Sequence, residues 1–187
     1  NICNYLDMPL QHISDHMLKA MRRQMDKQEI YDLLAAVREK VPGICIRTTL
    51  IAGFPGETRD DVEELKSFLE EVRLDRVGIF TYSHEENTTA YDLKDNVPAA
   101  EKAARAQEVM DVQQEISYEK NQEKIDRTFK VIIDKKEAGR YLGRTEYDSV
   151  EVDNEVIVHS STALPVGAFV QVKITKAYDF DLEGVVA

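Results

Sequence analysis

The stretch Thr49–Thr58, TLIAGFPGET, decides how the chain is read. An apolar run stops at Gly53, the chain turns over Pro55 and Gly56, and polar residues take over at Thr58. A Walker phosphate loop needs Lys and Ser or Thr after the second glycine of a longer spacing, and a dinucleotide fingerprint needs three glycines. Neither pattern is present. Pro-Gly marks a tight turn, and Thr58 with Asp61 three residues later resembles a capping box. The stretch therefore reads as strand, turn and helix start.

Working outward, ICIRTTLIAG (residues 44–53) is rich in β-branched residues and suits a buried strand of a parallel sheet. Val62, Leu65, Phe68, Leu69 and Val72 form the apolar stripe of the helix that Thr58 opens, and DRVGIFTYS (75–83) is the next strand. Upstream, ICNYLDMPL (2–10) is a mostly apolar strand ending at Pro9. Ser14 and Asp15 begin a helix through DHMLKAMRR. A second helix, KQEIYDLLAAVREKV, buries the face carrying Ile30, Leu33, Leu34, Val37 and Val41, and Pro42 and Gly43 end it. Strands alternating with helices imply right-handed βαβ units with parallel strands, as in an α/β barrel or a doubly wound sheet.

The polar, aperiodic segment HEENTTAYDLKDNV (84–97) leaves the carboxyl end of a strand, where α/β folds place their ligand chemistry. Pro98 then opens a long polar helix, to about residue 124, whose apolar positions are too scattered for a wide buried face. It has the character of a bridge between domains. From residue 128 onward the period changes to short strands separated by turns, the pattern of a small all-β barrel or sandwich.

The 187 residues include 35 acidic and 24 basic side chains, a formal charge of -11. That balance disfavours nonspecific association with a phosphate backbone and mildly favours a basic partner. No apolar run approaches the roughly 20 residues needed to span a bilayer, and the first residues lack a signal-peptide pattern. A cytoplasmic protein without membrane contact is expected. The two cysteines, Cys3 and Cys45, have no C-x-x-C companion and are expected as buried, reduced thiols rather than a disulfide or metal site.

Among candidate functional residues, Gln11 at a strand end can donate and accept toward hydroxyls, and Arg23 can clamp a carboxylate at two points. A solvated helix end explains Arg23 equally well. His12 and His16 have the spacing of helical metal ligands, but His12 precedes the Ser14 cap, so both read as ordinary polar residues. Glu85 and Glu86 beside His84 favour a binding role toward a basic partner over acid–base work.

Taken in order, DMPLQHISDHMLKAMRR, RTTLIAGFPGET and GIFTYSHEENTTAY resemble the later half of a radical S-adenosylmethionine enzyme of the methylthiotransferase family. The final β domain resembles the TRAM module that ends those proteins, and Gln113, Ile116, Ser117 and Asn121 match a pattern in the linking helix. PLQH and YSHEENTTA resemble the RimO-type branch, which modifies an aspartate of small-subunit ribosomal protein S twelve, more than the branch acting on tRNA adenosine. Glu85 and Glu86, where a tRNA enzyme has a basic residue, fit a basic protein substrate.

The resemblance implies an α/β fold: the carboxyl-terminal half of a partial TIM-like barrel (1–97), a linking helix (98–124) and a small OB-like TRAM barrel (125–187). It implies that Gln11 and Arg23 hold the ribose and carboxylate of S-adenosylmethionine, and that Ile51, Gly53 and Phe54 form the adenine-facing strand end. Thr49 falls where some relatives carry aspartate, and Asp126 where glycine is common.

The complete enzyme would use two four-iron four-sulfur clusters, whose cysteine ligands lie outside this chain. One cluster cleaves S-adenosylmethionine to a radical that takes hydrogen from the aspartate β-carbon; the other helps deliver the methylthio group. The chain alone is expected to bind but not turn over. The TRAM domain and the acidic loop would engage ribosomal protein S twelve. The alternatives are a tRNA enzyme gripping RNA through Lys135, Lys136, Arg140 and Arg144, or a non-enzymatic binding module.

Overall fold

The structure, a computed structural model, describes residues 2–137 and 139–187. The chain divides into two compact units, Leu6–Gln113 and Gln114–Ala187 with Asn1–Tyr5.

The first unit is built on a sheet of order β1-β2-β3, from β1 (Tyr5–Asp7), β2 (Cys45–Ala52) and β3 (Arg76–Thr81). Its helices are α1 (Asp15–Ala20), α2 (Lys27–Lys40) and α3 (Arg59–Val72). Strands β2 and β3 run parallel, with Arg47 beside Arg76, Thr49 beside Gly78 and Ile51 beside Phe80. The alternation of a strand divides β2 cleanly. Ile46, Thr48, Leu50 and Ala52 are buried, whereas Arg47, Thr49 and Ile51 are only partly covered.

Both expected stripes pack, to different extents. In α3, Val62, Leu65, Phe68, Leu69 and Val72 are all buried, and Thr58 and Asp61 form the reciprocal capping box. Each fully buried Leu or Phe contributes roughly 1.5–3 kcal/mol by leaving water. Helix α2 starts on a second capping box, Asp26 with Glu29, and buries Ile30 and Leu34, while Leu33 and Val37 are partly covered and Val41 is exposed. Helix α1 is shorter than its sequence pattern, because Arg22 adopts a left-handed backbone (φ 56°) two residues past Ala20. Cys45 is buried, but Cys3 is exposed. It precedes β1, so the apolar run around it supplies no sheet to cover it, correcting the expectation of two buried thiols.

Helix α4 (Ala99–Gln122) explains its weak apolar pattern by what it buries. Lys102, Arg105, Gln113, Ser117 and Asn121 are all buried beside Val109 and Ile116. In the second unit Asn121 Nδ2 donates to the carbonyls of Tyr178 (3.1 Å) and Phe180 (3.0 Å). Asn121 thereby satisfies carbonyls of the turn that an apolar residue would leave bare.

The second unit holds a closed five-stranded barrel of order β4-β5-β6-β8-β7. Its strands are β4 (Thr128–Glu137), β5 (Arg140–Arg144), β6 (Val156–His159), β7 (Phe169–Ala177) and β8 (Leu182–Val186). All neighbours are antiparallel except β6 and β8. Alternate residues point inward, so Val131, Ile133, Tyr141, Val156, Val158, Val172, Ile174 and Leu182 make one core. Asp126, at the barrel entry, takes φ 66°, a conformation that favours glycine.

Candidate functional site

Two turns at the carboxyl ends of β1 and β2 carry the candidate residues, and hydrogen bonds fix each to the sheet. Thr48 Oγ1 donates to Met8 O (2.8 Å) and accepts from Leu10 N (3.1 Å), so a buried hydroxyl stitches the end of β1 to β2. Gln11 continues the stitch: its N–H donates to Thr49 O and its carbonyl accepts from Ile51 N. Its backbone is left-handed (φ 74°), which redirects the chain into His12.

His12, Ser14, Glu57 and Asp61 then form a buried polar cluster beneath both turns. His12 Nδ1 accepts from Ile13 N (2.9 Å) and Ser14 N (3.1 Å), the two amides just before α1, while the Ser14 side chain makes no capping bond. Nδ1 is thus the acceptor, and Nε2 carries the proton. Nε2 has no hydrogen-bond partner among the described residues and lies 3.9 Å from Glu57 Oε2. Burial lowers the His12 pKa to about 4, against a smaller upward pull from Asp61. The imidazole is neutral at physiological pH.

The Ser14 hydroxyl is used elsewhere, donating to the Asp61 carboxylate. Asp61 also accepts from Thr58 N (2.8 Å) and Thr58 Oγ1 (2.7 Å) and lies 3.2 Å from His16 Nδ1. Burial pushes its pKa up, but these bonds outweigh burial and bring it down to about 2. One carboxylate therefore ties the start of α1 to the start of α3.

Glu57 organises the second turn. Its Oε2 accepts from Gly53 N (2.7 Å), and its Oε1 lies 3.2 Å from Arg105 Nη1, which also donates to Glu57 O (2.8 Å). Burial raises the Glu57 pKa; the Gly53 amide and Arg105 oppose that shift.

The expected cofactor residues fall in this region, in different settings. Gln11 and Ile51 are partly exposed next to one another on the strand ends. Arg23 is exposed and donates through Nη2 to Pro9 O (2.8 Å), which draws its side chain back to the end of β1. A cleft of about 350 Å³ beside it has Leu10, Leu18, Met25 and Ile30 as its apolar lining.

Gly53 and Phe54 are both buried. A Cβ at Gly53 would stand 2.2 Å from Lys102 Cγ, so the close approach this glycine permits here is that of α4. The Phe54 ring packs edge-on against Tyr82 at 5.0 Å.

The loop after β3 is pinned at several points. Lys102 Nζ lies 2.6 Å from Asp95 Oδ2 and 4.9 Å from the Tyr82 ring centre, and Asn96 Oδ1 accepts from Gly56 N (2.9 Å). His84 stacks on Tyr91. Glu85 and Glu86 are exposed.

His12, Glu57, Lys102 and Arg105 carry much of this geometry without having been singled out as functional from sequence. His12 was read as an ordinary polar residue because it precedes the Ser14 cap, and nothing nearby in the sequence marks it as buried. Glu57 sits inside the turn motif, but its partners are 4 and 48 residues away. Among the described residues, no group of three or more His, Cys, Asp or Glu could hold a metal ion.

Two family models match the chain. Residues 1–69 match the Radical SAM superfamily and residues 125–187 the TRAM domain. Coproporphyrinogen III oxidase (HemN) from Escherichia coli, described as a radical SAM enzyme, shares the fold over 62% of this chain and 27% of its own, with TM-score 0.53 and 25% identity.

Proteins named "Ribosomal protein uS12 methylthiotransferase RimO" are similar along almost the whole chain. Those of Flavobacterium psychrophilum and Bacteroides thetaiotaomicron are each 53% identical over 184 residues, covering 98% and 97% of this chain and 42% of each relative. That of Chloroherpeton thalassium is 47% identical over 188 residues, 98% of this chain and 43% of the relative. The chain spans about two fifths of the length of these curated relatives.

Fold and matches together define a class: a radical SAM barrel segment followed by a TRAM barrel. Within that class, the chain belongs to the radical S-adenosylmethionine methylthiotransferase family, RimO type.

Proposed function

We propose that this chain is the carboxyl-terminal part of a methylthiotransferase that adds a methylthio group to the β-carbon of an aspartate in ribosomal protein S twelve. The observation that carries the reading is 53% identity over 98% of the chain to a protein named as a ribosomal protein uS12 methylthiotransferase. Residues 1–97 form the later barrel strands, 98–124 the linking helix and 125–187 the TRAM domain.

S-adenosylmethionine, when bound, supplies the radical chemistry. The donor set suits it: Gln11 offers an amide for the ribose, Arg23 a guanidinium for the carboxylate, and Ile51 an apolar surface for the adenine. In this reading Gly53 and Phe54 close the adenine side. Glu57 and Thr48 hold the two turns, so the ligand meets preset donors. The described residues do not fit an iron–sulfur cluster. Its ligands belong to the part of the full-length protein beyond this chain, and the chain alone binds cofactor without turnover.

The partner is ribosomal protein S twelve, met by the TRAM domain and by Glu85 and Glu86. Two of the four cations that an RNA-gripping barrel would use are already paired. Lys135 lies 3.3 Å from Glu155 and 3.4 Å from Glu137, and Arg144 lies 3.2 Å from Asp134. That pairing favours a protein partner over tRNA.

The test is methylthio transfer by the full-length protein, offered S twelve and bulk tRNA separately. Modification of S twelve alone is expected. Modification of tRNA with a steep loss at rising salt, and none of S twelve, overturns the reading. Arg23→Ala is expected to weaken cofactor affinity without unfolding the protein, and unchanged affinity removes Arg23 from the site.

A further inference from the structure

The loop after β3 carries a row of rings that leads outward from the candidate site. Phe54, buried, meets Tyr82 edge-on at 5.0 Å, Tyr82 meets His84 at 6.0 Å, and His84 stacks on Tyr91 at 4.7 Å. The Tyr82 hydroxyl lies 3.1 Å from His84 Nδ1, which fixes the middle of the row. His84 covers one face of Tyr91, yet Tyr91 remains 42% exposed, so its other face is open.

The same stack closes residues 85–90 into a small loop. Thr88 Oγ1 donates to Glu85 O (2.8 Å) and Tyr91 N to Thr88 O (3.1 Å), so two tight turns hold Glu85 and Glu86 near the outermost ring. Glu86 and Asp92, the residue after Tyr91, are exposed and form no ion pair among the described residues. Residues 84–97 carry four carboxylates against one lysine, which draws a cation to the open face and keeps an anion from it.

The protein uses this chemistry once already, further in. Lys102 Nζ lies 4.9 Å from the Tyr82 ring centre and 2.6 Å from Asp95 Oδ2, an ammonium on an aromatic face beside a carboxylate. Tyr91 repeats the face and the neighbouring carboxylate without the lysine.

Building on the proposed function, we propose that the open face of Tyr91, with Glu86 and Asp92, seats a lysine or arginine side chain of the substrate protein. A cation over an aromatic ring is attracted by the negative charge of the ring face, and a free carboxylate at the rim adds to that attraction. Phe54 closes the adenine side in the proposed function, and three ring-to-ring steps separate it from Tyr91, at most about five residues of extended chain. The basic residue therefore lies a few positions from the target aspartate.

The test measures binding of two peptides to the full-length protein with S-adenosylmethionine present. One is the segment of S twelve around the target aspartate, with its lysine and arginine residues, and the other has glutamine in their place. The unaltered protein is expected to prefer the basic peptide about ten-fold. Tyr91→Leu is expected to cut that preference to about three-fold or less and Tyr91→Phe to keep most of it. Glu86→Gln is expected to lower it about two-fold or more and to flatten its salt dependence. Because each result is a ratio between two peptides on one protein, partial loss of fold does not produce it.

Retention of the full preference by Tyr91→Leu or, should that variant not fold, by Glu86→Gln combined with Asp92→Asn overturns this assignment alone. Equal binding of both peptides by the unaltered protein does the same and leaves the proposed function standing. Failure of the unaltered protein to bind either peptide overturns the assignment and the proposed function together.

Discussion

Replacing Asp61 by Asn tests whether one buried carboxylate clamps the two turns of the site. Asp61 is 6% exposed and accepts hydrogen bonds from Ser14, from the Thr58 amide and from the Thr58 hydroxyl. Its pKa falls from 3.8 to about 2 in the fold. A depressed carboxylate pKa contributes stability that is complete above the unfolded pKa and is lost as pH falls through the folded one. A shift of this size corresponds to about 2 kcal/mol near neutral pH, of which roughly half remains near pH 3.

Asn keeps an acceptor oxygen but not the charge. Asp61→Asn should therefore cost about 2 kcal/mol at pH 7 and about 1 kcal/mol at pH 3, read as the difference in urea unfolding between protein and variant. A cost that is equal at both pH values, or below about 0.5 kcal/mol at pH 7, would refute the clamp. Because Ser14 starts α1 and Thr58 starts α3, the same variant should loosen S-adenosylmethionine binding in the full-length protein.

Other consequences follow from neighbouring groups. His12, with its pKa lowered from 6.5 to about 4, contributes stability that is full above pH 6.5 and is lost as pH falls toward 4. His12→Asn, which keeps an acceptor for the Ile13 and Ser14 amides, should remove about 3 kcal/mol of that pH dependence in unfolding measured between pH 7 and pH 4. Glu57→Gln keeps the acceptor for the Gly53 amide and leaves Arg105, 9% exposed, paired with Glu101. A modest loss of about 1–2 kcal/mol is expected in denaturant unfolding, because burial already disfavours the Glu57 charge. Gly53→Ala forces a side chain into φ 78° and against Lys102 Cγ, so it should lower stability by more than about 1 kcal/mol, seen as an earlier thermal transition.

The elements were legible where local chemistry decides them. The capping box of Thr58 and Asp61, the α3 stripe, the parallel β2 and β3 and the short strands of the barrel are all written in neighbouring residues. Helix α4 was legible as a helix but not in what it buries, because its buried positions are polar: Lys102, Arg105, Gln113, Ser117 and Asn121. Periodicity counts apolar residues, so a helix packed through hydrogen bonds looks unpacked. Cys3 was misplaced for a related reason, since an apolar run says nothing about whether a partner surface lies against it. At the site, Gln11 and Gly53 were visible as a strand end and a turn. Glu57 and His12 were not visible as partners, because 45 residues of chain separate two side chains that lie 3.9 Å apart.

The alternation along β2 explains how one fold could hold a fixed core beside a changeable site. Ile46, Thr48, Leu50 and Ala52 are at most 1% exposed, so altering any of them disturbs packing or the Thr48 stitch between strands. Thr49 and Ile51 lie on the opposite face, partly covered, where a substitution changes chemistry without opening a cavity, while Arg47 there is held by Asp7. The register carries the same freedom to Gly78 and Phe80, whereas Arg76 in the same row is buried. Discrimination between substrates is therefore expected to sit on Thr49, Ile51, Gly78 and Phe80, while the turn networks of Glu57 and Asp61 stay constant. Exchanging residues of the partly covered face should shift substrate preference at nearly constant stability; the same exchange one residue out of phase on β2 should unfold the sheet, because a slip of one residue moves every side chain to the other face.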